Sequence, residues 1–416
     1  MKPKILSMMV RAALAGAFVF SAGLANATVY SQCPGDLNGD GDNTDVGIGE
    51  TTFPNGIDKP EVKCMHVTGS DGYIKLADER PLYMFGFGDL TGTEDNLIMN
   101  KGILAAEFPA PNIELKQGEE FFLTLSNVGM IMRPDLFDPH TVHFHGFPNA
   151  SAIFDGLPDT TISINMGASL TYYYNVQEPG TYMYHCHVEA TEHMQMGMLG
   201  NLFVRPAQDG TPYTWDGKTY DKFVYNDGDG STGYDKEIAI QLGSFDAAFH
   251  DASESTQPLP FAEMKDDYAM LNGRGYPDTV ETAALPSVKA LLDPGIPYQA
   301  DVQSQPETSL IEAAPDQRVL LRISNLNVTR FYTLNTLGIP MEVVGMGAKQ
   351  HVGPDGKKMY YKTNSITLGG GEAIDVMLDT TGVSPGTTYY LYTGNLNYLS
   401  NGAEDFGGMM TEIRVN

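Results

Sequence analysis

The sequence predicts an all-β protein made of two β-sandwich domains in tandem. Three observations lead there. Short apolar and aromatic runs recur between Gly-, Pro- and Asn-rich turns, as in "NIELKQGEEFFLTLSN", "SLTYYYNV" and "RVLLRISNLNV". The composition, with 45 Gly, 25 Pro and 22 Tyr in 416 residues, favours turns and strands. Segments near the C-terminus repeat, in altered form, segments near the middle. The length suits two domains better than one, and 42% hydrophobic residues suffice for packed cores. A formal charge of −27 makes nucleic acid a poor partner, because phosphate binding needs a basic surface.

Lys2, Lys4 and Arg11, the apolar run 12–20 and Ala25-Asn26-Ala27 read as a secretory signal peptide over 1–27. Export to the periplasm or cell exterior follows as an expectation, and no later run is long and apolar enough to span a membrane. Residues 28–71 are expected to be irregular. Within them Asp36, Asn38, Asp40 and Asp42 match the first half of a calcium loop, but Gly47 stands where a bidentate acid is required. Residues 72–207 carry regular strand and turn signals and form the first domain. Residues 208–235, poor in aliphatics, read as a linker. Residues 236–416 form the second domain, with 251–315 as a long Pro- and Ala-rich excursion.

In an oxidising compartment Cys33 and Cys64 are candidates to pair, which leaves Cys186 to be explained. Its neighbours explain it. Six of nine His fall in two clusters, His140, His143 and His145, then His185, His187 and His193. Side chains alternate along a strand, so His143 and His145 share a face, as do His185 and His187, while Cys186 points the other way. His140, Cys186, His193 and Met198 make a soft set of two imidazoles, a thiolate and a thioether, which suits blue copper. His143, His145, His185 and His187 make a second, imidazole-only set that suits copper, zinc or iron.

These segments resemble the multicopper oxidases. "HTVHFHG" is similar to the family's HxxHxHG strand, and "GTYMYHCHVEATEHMQMGM" to the stretch around its HCH motif; the likeness covers most of residues 75–205. It implies cupredoxin-like Greek-key sandwiches and a type 1 copper at His140, Cys186, His193 and Met198. It also implies that His143, His145, His185 and His187 are half of a type 2/type 3 cluster that reduces dioxygen. One departure is that the Cys186-to-His193 spacing is two residues longer than in the common form, between that and the loop of copper nitrite reductases.

The second domain keeps the shape without the ligands. "YTLNTLGIP" aligns with "HTVHFHGFP", setting Tyr332, Asn335 and Leu337 against His140, His143 and His145. "YLYTGNL" aligns with "YMYHCHV", setting Thr393, Gly394 and Asn395 against His185, Cys186 and His187. A full cluster by the family pattern needs eight imidazoles, and this chain offers four. Contact between two first domains, or a single type 2-like copper, are the ways to complete a site, so a homo-oligomer is expected: a trimer by resemblance, or a dimer. His66, His250 and His351 are expected to face solvent, as are Glu189 and Glu192. Met196 is expected in the core.

The leading functional expectation is an exported copper oxidoreductase, reduced by a small molecule, metal ion or redox protein and oxidised by dioxygen. The alternative is a blue-copper electron carrier or copper store. Nitrite reduction is disfavoured, because His143 occupies the place where the resembling reductases use Asp.

Overall fold

The computed structural model describes residues 29, 31–34, 62–255, 258–288 and 302–416. The expected signal peptide and the half calcium loop at Asp36, Asn38, Asp40 and Asp42 lie outside the described residues. Cys33 and Cys64 are joined in a disulfide, with Cα atoms 5.9 Å apart.

The first sandwich has two four-stranded sheets. One comprises β1 (Val62–Lys75), β2 (Pro81–Asp89), β4 (Glu120–Gly129) and β6 (Ser169–Asn175), in the order β2-β1-β4-β6. The other comprises β3 (Ala110–Lys116), β5 (His143–His145), β7 (Gly180–His185) and β8 (Leu199–Arg205), in the order β3-β8-β7-β5. Alternate residues of facing strands, among them Val67, Phe85, Leu123, Phe144, Tyr172 and Tyr184, close the core between them. Residues 62–71 were expected to be irregular, but they form the first half of β1, paired in parallel with β4. The run Gly69-Ser70-Asp71-Gly72 resembles a turn and is instead buried strand. Its acid is accommodated because the Asp71 carboxylate accepts hydrogen bonds from the Ile131 and Met132 N–H groups and from Tyr83 Oη.

A short hairpin, β9 (Tyr213–Trp215) and β10 (Lys218–Tyr220), leads to the second sandwich. The expected linker is not a free tether: Val224, Tyr225 and Tyr234 are buried against Leu320, Val344 and Met377. The larger sheet contains β11 (Lys236–Phe245), β12 (Tyr268–Leu271), β14 (Arg318–Asn325), β16 (Met341–Met346), β17 (Lys349–Gln350), β18 (Tyr361–Thr363) and β20 (Glu372–Asp379). The smaller contains β13 (Ile311–Ala313), β15 (Tyr332–Leu337), β19 (Ser365–Leu368), β21 (Thr387–Thr393) and β22 (Met410–Val415). Two of these strands, β12 and β13, arise inside the stretch 251–315 that read as an excursion.

The two sandwiches repeat one plan. The pair β1/β4 is parallel, as is β11/β14, and β3/β8 is parallel, as is β13/β22. Between them lies a shared apolar layer that includes Met84, Phe108, Met183, Phe245 and Met270. A buried polar network completes the junction. The fully buried Arg322 donates to Glu237 and Thr181, and its guanidinium lies 4.8 Å from the Phe203 ring. Asp375 accepts from Thr181 Oγ1 and from Tyr225 Oη. Buried charge is tolerated here because each group has partners; removing one partner of such a network costs about 3–5 kcal/mol.

Candidate metal centre

The register of β5 on β7 sets His143 opposite His185. The chain leaves β7 at His185 and enters a loop whose start is pinned by Cys186 N–H donating to the Met198 carbonyl. The helix Ala190–Met196 then returns His193 toward Cys186. His140 arrives from the other side, held by paired backbone hydrogen bonds with Ile164. As a result Cys186 Sγ lies 3.2 Å from His193 Nδ1 and 3.8 Å from His140 Nδ1, all three fully buried. Met198 and Met196 are buried in the same core.

On the reverse side the donor atoms of His143, His145 and His185 lie within 4.8 Å of one another. The His187 ring is 5.1 Å from that of His143 and 5.4 Å from that of His185. His140, Cys186 and His193 thus form one group and His143, His145 and His185 a second, with the His187 ring beside the second and Met198 in the same buried core as Cys186. His185 Nδ1 bonds the Cys186 carbonyl, and His143 Nδ1 bonds the Asp155 carbonyl, which leaves their Nε2 atoms facing the cluster.

Electrostatics favour the neutral ring at His185 and His145. Burial and the neighbouring rings push His185 down to about 3, despite its bond to the Cys186 carbonyl. The same two causes lower His145. His140 is held well below its ordinary value by burial and by His193. His193 is the exception. Burial alone would lower it, but Cys186 and Asp138 outweigh burial and carry it up to about 10.

Several contributors were not singled out in the sequence. Asn127 Nδ2 donates to both the Asp138 and Ile164 carbonyls and so fixes the loop that carries His140. A Cβ on Gly69 would sit 2.6 Å from the His140 ring, so only glycine admits that imidazole. Gly371 of the second domain (φ +86°) lies against His145, where a Cβ would sit 2.8 Å from Nε2. Asp138 Oδ2 is 3.9 Å from His193 Nε2.

Other expectations need correction. Glu189 is exposed, but Glu192 is buried, and burial raises its carboxyl to about 7. His66 and His250 do not face solvent. His66 Nε2 bonds Ser126 Oγ, and both ring nitrogens of His250 lie within hydrogen-bonding distance of carbonyls, those of Tyr83 and Gln195. Neither belongs to a metal-competent group among the described residues.

Register also corrects the internal alignment. In the first domain His143 pairs with His185 and Tyr184 with Gly200. In the second, Asn335 pairs with Tyr392 and Leu391 with Thr411. Cys186 N–H donates to the Met198 carbonyl, and Thr393 N–H to that of Met409. Residue for residue, Tyr392, Thr393 and Gly394 therefore take the places of His185, Cys186 and His187, one position earlier than the letters suggest. Burial agrees: Tyr182 is 3% exposed, whereas Tyr390, its partner by letters, is 36% exposed.

Residues 96–209 match the family model described as multicopper oxidase. Over 116 residues the chain is 33% identical to an iron transport multicopper oxidase of Kluyveromyces lactis, covering 26% of this chain and 16% of that protein. Over 329 residues it is 23% identical to the L-ascorbate oxidase of Cucurbita pepo var. melopepo, covering 74% of this chain and 51% of that protein. The chain thus spans about half, or much less, of the curated relatives it matches. Among solved structures, a blue copper oxidase from Nitrosomonas europaea superposes with a TM-score of 0.60 at 20% identity, covering 86% of both chains. A copper nitrite reductase from the same organism superposes at 0.53 and 15% identity, covering 86% of this chain and 93% of that one. The folds agree in their tandem all-β sandwiches, and the match to the multicopper oxidase family model falls on residues 96–209, within the first domain.

Proposed function

We propose that the chain is an exported copper-dependent oxidoreductase. It takes electrons from an external donor at the Cys186 centre and delivers them to dioxygen at the centre of His143, His145, His185 and His187. The observation that carries this reading is the back-to-back geometry, with two Nδ1 atoms converging on one buried sulfur and three imidazoles gathered behind it. The donor sets fit the metal: thiolate with imidazole suits a blue copper ion, and neutral imidazoles suit a second copper site. Copper bound there supplies one-electron redox chemistry.

The chain's own residues do the rest. The buried core around Cys186 excludes water from the sulfur. Asp155 and the Cys186 carbonyl orient His143 and His185 by fixing their Nδ1 atoms. The bonds from Cys186 to His185 and His187 form a short covalent path between the two centres. Glu192, buried beside His193 with one oxygen unpartnered, is the nearest acid within the helix that carries that ligand.

The second domain supplies no imidazole to match the first, which favours a second reading, an electron carrier or copper store without turnover. The experiment that separates them is copper content together with oxygen uptake. More than one copper per chain, absorption near about 600 nm and oxygen consumption with a phenol or a reduced metal ion support the oxidase. One copper and no oxygen consumption leave the carrier, and nitrite-dependent oxidation of a reduced dye would point to a reductase instead.

A further inference from the structure

An open cavity of about 750 Å³ lies in the second domain, within the range of small-molecule sites. It forms where the first domain has its metal centres. Tyr332 and Thr393 line it and hold the places of His140 and Cys186, and Asn335 holds that of His143. The loss of imidazole and thiol did not simply fill this space with aliphatic side chains. The wall is hydroxyl and amide, from Thr393, Asn335 and Ser365, with aromatic surface from Phe331 and Tyr398.

The charge is reversed as well. Counting from Tyr332 and His140, Arg330 takes the place of Asp138. In the first domain that position presents a carboxylate to His193. In the second it presents a guanidinium, 6.0 Å from the Tyr398 ring, and no acidic side chain lines the cavity. Arg330 makes no ion pair within 4.0 Å among the described residues, and its buried Nε has no hydrogen-bond partner. Asp266, which accepts a hydrogen bond from Ser244, is close enough for its charge to interact with that of Arg330 but makes no ion pair with it within 4.0 Å. In a chain carrying 52 acidic residues against 25 basic ones, an unpaired guanidinium at a polar cavity marks a place for an anion.

We propose that this cavity binds a small organic monoanion, an aromatic carboxylate in size and chemistry. Arg330 takes the carboxylate as a two-pronged donor, Phe331 and Tyr398 flank the ring, and the hydroxyl and amide wall accepts polar substituents. One guanidinium matches one negative charge. Phe331 and Leu396, 74% and 69% exposed, form an apolar rim that a bare inorganic anion would not use.

The site is independent of metal, so the test uses the full chain stripped of copper. Isothermal titration with benzoate is expected to saturate at one per chain. Benzamide, the same shape without charge, is expected to bind at least tenfold more weakly. Arg330→Gln should weaken benzoate at least tenfold. Leu396→Asp, at an exposed rim position that tolerates substitution, should weaken it several-fold by repulsion. Benzoate that fails to saturate, benzamide that binds equally well, or either variant with unchanged benzoate affinity would overturn the proposal. So would inorganic phosphate binding more tightly than benzoate, because the aromatic walls would then contribute nothing.

Discussion

The two sandwiches hold the same frame around different contents. Asn127 donates to the Ile164 carbonyl, and Asn325 to that of Leu368. Gly167 N–H donates to Asn127, and Gly371 N–H to Asn325. Met198 and Met409 each accept the strand-end N–H and are fully buried. Yet inside that frame the first domain gathers imidazoles and sulfur, and the second places Tyr332, Tyr392 and Thr393. The register shows how the space was reassigned. Gly69 pairs with Asn127, and the matching partner of Asn325 is Leu242. Where glycine makes room for the His140 ring, a buried leucine stands in the second domain. The backbone scaffold is therefore shared, and the two domains differ at this corner in a few side chains and one glycine.

The sharpest way to break this comparison is at sulfur. Cys186→Ser is expected to abolish absorption near about 600 nm and to remove one copper per chain. In that background Thr393→Cys should restore no colour, because Tyr332 and Leu242 still occupy the imidazole's place. A coloured double variant, seen by absorption and metal analysis, would show that the second frame is more permissive than its contents suggest.

A smaller change tests the glycine. Gly69→Ala puts a methyl 2.6 Å from His140 Cδ2. It should weaken copper at the Cys186 centre by about tenfold or more and cost about 1–3 kcal/mol of stability through overpacking. An unaltered spectrum and melting temperature would mean that the ring relocates freely.

Gly371→Ala probes the contact that the second domain makes with the first. The new methyl meets His145 at a positive φ, so a loss of about 1 kcal/mol is expected. Copper at the imidazole cluster should fall, while the visible band of the Cys186 centre persists. Equal loss from both centres would show that they are not separable.

The smallest effect concerns protons. In the first domain burial raises Glu107 from its ordinary 4.5 to about 8, against the Asp89 N–H that it accepts. In the second domain Glu237 goes the other way: burial would raise it, but Arg322 and Arg205 hold it low. For Glu107 the folded chain retains a proton that the unfolded chain releases. Its favourable contribution is full below about pH 4.5 and is lost as the pH climbs to about 8. Glu107→Gln should therefore melt higher than the parent at pH 8 and equally at pH 4.5. Identical melting at both values would remove Glu107 from the account.

The two candidate groups were legible because strand alternation turns a short spacing into an unambiguous pair of faces, and because pairing Cys33 with Cys64 left Cys186 to be explained. The strand 62–71 was hidden by Gly69, Ser70, Asp71 and Gly72, which look like a turn when the three donors that satisfy Asp71 are not known. Glu192 looked solvated for a similar reason, since its helix buries the face that also carries His193. Asn127 could have been found: Ser126-Asn127 recurs as Ser324-Asn325, and the repeat falls on the same structural corner. The alignment of the C-terminal strand failed because matching tyrosines dominate its letters, whereas its hydrogen bonds run one residue out of step.

That one-residue slip has a practical consequence for anyone who wishes to graft a metal centre onto the second half. A design copied from the letters would install cysteine at residue 394, on the wrong side of the strand from residue 332. The hydrogen-bond ladder directs it to 393, and directs the imidazole that should face residue 335 to 392. Leu242 would have to be trimmed first, or the transplanted ring would find its seat already taken.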